Sequence, residues 1–304
     1  MSDFTLHILG CGSAFPTPLH NPSAQVIDYR GRLMMIDCGE GAQSTMRRLR
    51  LPFGRMTDIF ISHMHGDHCL GLPGLLSTMA MHEKGGALTI HLPADGLEIM
   101  RAVTDYFCRE SPYEIIFKPI AGNGGILLET ASLTVEAFPL YHRLPCYGFI
   151  FREKPAPRHL RGDMMDFFNV PIAARHAIKS GADYTCPDGR VIENARLTTP
   201  AAQPRSYAYC SDTAFDERVA RAIEGIHTVY HEATYHSDLA QQAHERGHST
   251  AAEAGRIARM SGARELIIGH YSKRYTDTAV LTADAATEFP DVTAAAEGMK
   301  IDIL

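Results

Sequence analysis

Residues 57–72 read TDIFISHMHGDHCLGL, an apolar run that ends in His63, His65, Asp67 and His68. No other feature narrows the folding of this chain as much. Three imidazoles and a carboxylate follow a strand-like stretch within six residues. Strand alternation puts His63 and His65 on one face. Were the segment to stay extended, His63 and His68 would stand about 16 Å apart at ~3.3 Å per residue, too far for one ion. The chain must therefore turn, and Gly66 is the residue expected to allow it. The pattern predicts two adjacent metal sites, His63 and His65 serving one, Asp67 and His68 the other.

Two ions need further ligands, and later segments offer them in the same form. LTVEAFPLYH ends in His142, SYAYCSD in Asp212 and ELIIGH in His270. Each is an apolar strand with a ligand-type residue at or just past its end. Strand ends along one sheet edge are where α/β folds gather function. Imidazoles with carboxylates suit zinc, with Mn2+ or Fe2+ also compatible. Asp212 is the candidate bridge, because one carboxylate has two oxygens. Two divalent ions about 3.5–4 Å apart activate a water and hold the oxygens of a phosphodiester. Hydrolysis of a phosphate ester is the chemistry to expect. Asp67 is expected both to ligate and to accept a proton from the attacking water.

The formal net charge of −6 excludes a general cationic pull on nucleic acid, so any such site is a local basic patch. A hydrophobic fraction of 45% and a charged fraction of 21% suit a soluble globular chain. Seven scattered cysteines with no CxxC pair argue against a zinc ribbon or a disulfide framework. They fit reduced thiols in a cytoplasm. The start, MSDFTLHILG, has no basic region and no long apolar stretch, so no signal peptide is expected. No run is long enough to span a membrane.

Strands are predicted at FTLHIL, SAQVIDY and RLMMIDCG (a hairpin), DIFISH, ALTIHLP, YEIIFKPI, GILLETASLTVEAFPL, YGFIF, SYAYCSD, HTVYHEA and ELIIGHY. Helices are predicted at GEGAQSTMRRLRL, LGLPGLLSTMAMHEKG, ADGLEIMRAVTDYF, DERVARAIEG and STAAEAGRIARMSG. The alternation implies an α/β fold of two sheets face to face with helices outside. The chain, 1–304, reads as a single domain. Within it the pattern breaks at 152–197, an insertion of about 45 residues and longer than connecting loops run. Arg152, Lys154, Arg158 and Arg161 open that insertion. Basic residues there can neutralise phosphates.

On these motifs the chain resembles the ribonuclease Z family of the metallo-β-lactamase superfamily, the tRNA 3′-processing endonucleases. HxHxDH followed by isolated His, Asp and His is the superfamily pattern. GCGSAFPTPLHNPSA is similar to the family's N-terminal P-T-x-x-x-N loop. SHMHGDHCLGLPGLL, HEATY (231–235), GHSTAAEAGRIA (247–258) and GHYSKRY (269–275) are similar too. The resemblance spans nearly the whole chain. It implies a four-layer αβ/βα sandwich, the metallo-β-lactamase fold, with a protruding arm. It implies two zinc ions per chain: His63, His65 and His142 on one, Asp67, His68 and His270 on the other, Asp212 bridging. It implies a zinc-dependent endoribonuclease that removes 3′ trailers from precursor tRNA near the discriminator base and leaves a 3′-hydroxyl.

The resemblance also makes His248 the histidine that assists at the scissile phosphate or leaving oxygen. The residues agree, since Thr250 and Glu253 form a capping box and His248 sits just before a helix N-terminus. Glu232 is expected to orient His248. Lys273 and Arg274, just past His270, are placed to contact phosphate, and Arg47, Arg48 and Arg50 form another basic cluster. The insertion occupies the place of the arm that clamps the tRNA elbow. The Gly-Pro step of many family arms is absent, and NVPIAARHAIKSG stands there. A homodimer is implied, each arm serving the partner's site. The rival reading is a small-molecule hydrolase or phosphodiesterase of the same superfamily. It would share most ligands and would need neither a basic arm nor the His248 segment.

Overall fold

The hairpin expected from SAQVIDY and RLMMIDCG forms the middle of a seven-stranded sheet, Ala24–Tyr29 pairing antiparallel with Arg32–Cys38. The computed structural model describes residues 3–82 and 85–303. Glu83 and Lys84, in the helix predicted at LGLPGLLSTMAMHEKG, lie outside the described residues.

The first sheet runs in the order Lys300–Asp302, Phe4–Gly10, Ala24–Tyr29, Arg32–Cys38, Met56–Phe60, Ala87–Pro93, Glu114–Ile120. Its last four strands are parallel. The central ones are buried along most of their length, as sheets covered on both faces are. Leu33, Met35, Ile59 and Ile90 pack with Met46, Leu75 and Met79 from the helices Ala42–Arg48 and Leu72–Met81.

The other face meets a second seven-stranded sheet, ordered Val292–Ala294, Glu265–Gly269, Thr228–Glu232, Ser206–Cys210, Cys146–Glu153, Leu133–Leu140, Gly125–Glu129. The first four of these are parallel. Phe60 of the first sheet packs its ring against Phe149 and Phe151 of the second, with centroids 5.6 Å apart in each case. Aromatic pairs at this spacing add to the area they bury. This is the sandwich expected from the alternating pattern. The parallel strands deliver their C-terminal ends to one edge.

The capping box is present: Thr250 Oγ1 accepts from the Glu253 N–H, and Glu253 Oε2 accepts from the Thr250 N–H at 2.9 Å. Helix Ala251–Ser261 then ends at Gly262 with φ +72°. Helices Ala240–Arg246 and Ala279–Ala286 were not anticipated. Among the described residues no helix is long and apolar enough to cross a membrane.

By its internal contacts the chain divides into two compact units, one of residues up to 129, 135–151 and 206 onward, the other of Thr130–Thr134 and Arg152–Arg205. The second unit has its own small core of Met165, Val170, Ile178, Cys186, Ile192 and Leu197. It carries helices Gly162–Phe167, Ile172–Lys179 and Asn194–Leu197, and a short pair, Tyr184–Thr185 with Val191–Ile192. Glu153 takes both Arg205 Nε and Nη2 at 2.9 Å, a forked ion pair at the unit's base. The sequence shows no clear periodicity here because each element is shorter than the window over which a helical period is read.

Candidate metal centre

The strand Met56–Phe60 stops before His63, so His63 and His65 stand on a connecting segment and not on the strand itself. The turn that follows is a one-turn helix, Gly66–Cys69. Gly66 does not adopt the left-handed region, contrary to the expectation from the sequence. A Cβ there would meet only the exposed Leu70 side chain, with Cδ1 at 2.7 Å, and that side chain can swing aside. The helix swings Asp67 and His68 back toward the strand end. Among the non-glycine residues with positive φ, Ala14 (+46°), Asp37 (+53°) and His270 (+61°) stand at the site.

Two groups of donor atoms result. His65 Nδ1 lies 3.0 Å from His63 Nε2 and 3.2 Å from His142 Nε2. His68 Nε2 and His270 Nε2 are 3.3 Å apart, each 3.5 Å from Asp67 Oδ2. Asp212 stands between them. Its Oδ2 is 3.6 Å from His63 Nε2 and 3.9 Å from His142 Nε2. Its Oδ1 is 3.3 Å from His68 Nε2 and 3.1 Å from His270 Nε2. Each oxygen faces one trio.

These residues fit a pair of divalent ions. Metal–ligand bonds near 2.0–2.1 Å in a tetrahedral shell set neighbouring donors about 3.3 Å apart, close to the spacings seen. Asp212 Oδ1 is buried with no hydrogen-bond partner, a costly state for a carboxylate unless a cation compensates it. Burial holds His65 and His142 below the usual imidazole range, and burial with the charge of His68 holds His63 well below it. Neutral imidazoles are the form that ligates. A further cluster, Cys11, His20 and Glu297, lacks such an orphan. There Cys11 Sγ donates to Ala295 O and His20 pairs with Glu297 at 3.0 Å.

Partners behind the trios fix which nitrogen faces the centre. His142 Nδ1 donates to Gly247 O at 2.7 Å, and His63 Nδ1 lies 3.0 Å from Ser62 Oγ. His68 Nδ1 is 2.7 Å from Asp37 Oδ2, and His270 Nδ1 is 2.8 Å from Thr234 Oγ1. Thr234 donates in turn to Glu232 Oε2 at 2.6 Å. Asp67 Oδ2 also accepts from the Ala14 N–H at 2.6 Å.

His248 differs from the trios. Its Nδ1 lies 2.9 Å from Glu232 Oε1, which leaves Nε2 for the cavity. Burial disfavours its charged form, but the Glu232 carboxylate outweighs this and holds the imidazole up at about 9. Glu232 is fully buried and also accepts from the Thr213, Thr234 and Ser249 N–H groups. Burial pushes its carboxyl up, yet the His248 charge and hydrogen bond keep it below the ordinary value.

Over a match of its whole length the chain is 48% identical to the ribonuclease Z of Parabacteroides distasonis, covering 100% of both chains. It belongs to the ribonuclease Z family. It is therefore an enzyme, an endoribonuclease of the metallo-β-lactamase superfamily. Among solved structures, it superposes on human tRNase Z, short form, with a TM-score of 0.72 at 24% identity, covering 99% of each chain. The metallo-β-lactamase fold protein YhfI of Bacillus subtilis gives a TM-score of 0.68 at 18% identity, covering 98% of each chain. Both likenesses are of fold. A family model described as Anti-Pycsar protein Apyc1 matches residues 4–105.

In this ribonuclease Z relative the trios open into a cavity of about 1050 Å3, which Lys273 and Arg274 line as the sequence suggested. Arg143 and Arg246 line it too and were missed. Arg152, Lys154, Arg158 and Arg161 belong to the second unit. Arg158 Nε is committed to Thr198 Oγ1 at 2.7 Å and Arg161 to Asp163 at 3.2 Å, while Arg152 is exposed. Arg47 and Arg48 occupy the last turn of their helix, where cations complement the dipole. Asp37 was also missed, although RLMMID carries the same signal as the ligands, an apolar strand ending in a carboxylate.

Proposed function

We propose that this protein cuts precursor tRNA endonucleolytically near the discriminator base, releasing the 3′ trailer and leaving a 3′-hydroxyl. The observation that carries this reading is Asp212, with one oxygen toward each trio, inside a chain of the ribonuclease Z family. Zinc is the proposed ion, two per chain, on the donor set alone. His63, His65 and His142 would hold one, and Asp67, His68 and His270 the other. Ions held there supply positive charge for a phosphodiester and make a water acidic enough to attack.

The chain's own residues do the rest. Asp67 accepts the proton of the water as its oxygen bonds to phosphorus. The imidazolium of His248, kept protonated by Glu232, gives its Nε2 proton to the departing 3′ oxygen as the phosphorus–oxygen bond breaks. Lys273 and Arg274 hold phosphate oxygens at the cavity mouth. The segment 152–197 is an RNA-binding insertion in one catalytic domain, with the exposed Arg152 among its cations. The protein acts in the cytoplasm, consistent with seven free, buried cysteines. It works as a homodimer. Exposed Met81, Ile99, Tyr106 and Phe107, on the helices Leu72–Met81 and Leu97–Phe107, supply apolar surface for such a contact.

The test is an end-labelled precursor tRNA with a 3′ trailer, incubated with zinc-loaded protein and with Asp67→Ala. The expected result is one cut near the discriminator base, absent in the variant. No cut by protein carrying two metals per chain would move the assignment to the small-molecule hydrolases.

A further inference from the structure

Several arginines of the first unit are ion-paired. Arg30 pairs with Asp3, Arg32 with Asp58, Arg55 with Asp28, Arg218 with Asp216 and Arg259 with Glu288. Arg246 and Arg274 are not, since among the described residues neither has a carboxylate within 4.0 Å. Both line the cavity over the trios. Both are also held on one side chain, Tyr235. Arg246 Nη1 donates to the Tyr235 hydroxyl at 3.2 Å, and the Arg274 guanidinium stands 5.1 Å from the ring centroid. Arg274 is steadied further by Ser272 Oγ at 3.2 Å and Gln242 Oε1 at 3.3 Å.

Tyr235 is 3% exposed, and its carbonyl accepts from the Ala251 N–H at 2.8 Å, which ties it to the start of the helix after His248. Two guanidinium groups on one ring repel each other. Gathering them without a counter-charge is unfavourable until an anion joins them. Arginine forks suit phosphate oxygens in particular. The Tyr235 ring lies 6.1 Å from the ring of His248 and makes no ring contact with the candidate ligands among the described residues. An anion held there is set beside the reacting phosphate, not on it.

We propose that Arg246 and Arg274 form a two-arginine clamp for the substrate phosphate next to the scissile one, with Tyr235 as the positioning residue. Arg246 is thus a substrate-binding residue and Tyr235 acts through it. The clamp rests on the precursor-cutting reading. It deepens that reading by naming a second phosphate the site must hold, so the substrate is a polynucleotide and not a simple diester.

The experiment measures cleavage of end-labelled precursor tRNA by the zinc-loaded protein, Arg246→Ala, Arg246→Lys and Tyr235→Phe over a range of salt. Arg246→Ala should raise KM about tenfold while kcat changes little. The log–log salt dependence of kcat/KM should become shallower by about 0.7–0.9, the loss of one phosphate contact. Arg246→Lys keeps the charge and should keep most of the slope. Tyr235→Phe keeps the ring under Arg274 but releases Arg246, so KM should rise with kcat near that of the parent. A purely structural role would lower the melting temperature without touching the salt slope. Parent-like KM and slope in Arg246→Ala and Tyr235→Phe, with the precursor still cut, overturn the clamp alone. A parent protein that fails to cut precursor overturns the reading beneath it, and the clamp with it.

Discussion

Asp37 Oδ2 lies 2.7 Å from His68 Nδ1, and neither side chain is exposed. The same oxygen accepts from the Tyr209 hydroxyl and Ser62 Oγ at 2.8 Å, and Oδ1 accepts from the Ser62 N–H at 2.7 Å. Asp37 sits at φ +53°, a backbone cost of about 1–3 kcal/mol for a non-glycine residue. The carboxylate turns Nε2 of the candidate ligand toward Asp67 and Asp212. Asn tolerates the same backbone but replaces one accepting oxygen with a donor. Asp37→Asn should therefore weaken metal at the Asp67, His68 and His270 trio by about 10–100-fold, with the other trio nearly unaffected. Chelator competition reads this directly, and undiminished affinity for both ions would remove Asp37 from the account.

Metal uptake should release a proton. In the metal-free protein burial disfavours the charged form of His68, but Asp212, Asp67 and Asp37 overcome it and raise its pKa well above the usual value. At pH 7 the ring then carries two protons, and a ligating imidazole carries one. Loading zinc into chelator-treated protein at pH 7 should release about one proton per chain from this residue. The apparent affinity should increase with pH until the pKa of His68 is passed. Calorimetry in buffers of different ionisation enthalpy counts the proton, and heats independent of buffer would contradict the prediction.

The Glu232 and His248 pair has an alkaline limit. The pKa of His248 is raised to about 9 from an ordinary 6.5, so the stability contributed by the pair is fully present below about 6.5 and is lost as pH rises through about 9. Proton donation by His248 fails in the same direction. Glu232→Gln removes the main group that raises the pKa and leaves only the charge of Asp212 against burial, which lowers it. The alkaline limb of kcat should shift to lower pH in the variant. Identical alkaline limbs in the two proteins would mean that His248 is not the donor.

The seven candidate ligands were legible because each stands at or just past an apolar strand, and strand ends of parallel sheets share an edge. How they close was not legible. The sequence suggested a glycine-enabled turn after His65, whereas a one-turn helix carries Asp67 and His68 back. Asp37 had the right local form, but its role depends on Tyr209, 172 residues away and in the other sheet. Arg143 and Arg246 reach the cavity through packing of distant segments, which leaves no local pattern. The elements of 152–205 are too short to show a period, so their small core was invisible until the chain was folded.

Gly39 tests whether backbone contact sets the position of the second trio. Its N–H donates to Ser23 O at 3.0 Å, and the Ala42 N–H donates to its carbonyl at 3.3 Å, so it cannot shift alone. A Cβ at this position would lie 2.4 Å from Asp67 O and 2.6 Å from Pro22 Cβ. The carbonyl belongs to the one-turn helix that carries Asp67 and His68, and it cannot rotate away as a side chain would. The added methyl must push that helix from the strand. Gly39→Ala should cost about 1–3 kcal/mol of stability, as overpacked sites do. Metal content should fall from two per chain toward one, because His63, His65 and His142 do not rest on Gly39. Thermal melting with elemental analysis of the purified protein measures both. A parent-like melting temperature with two metals retained would show that the helix accommodates the methyl, and that its position is set by the ions and not by Gly39.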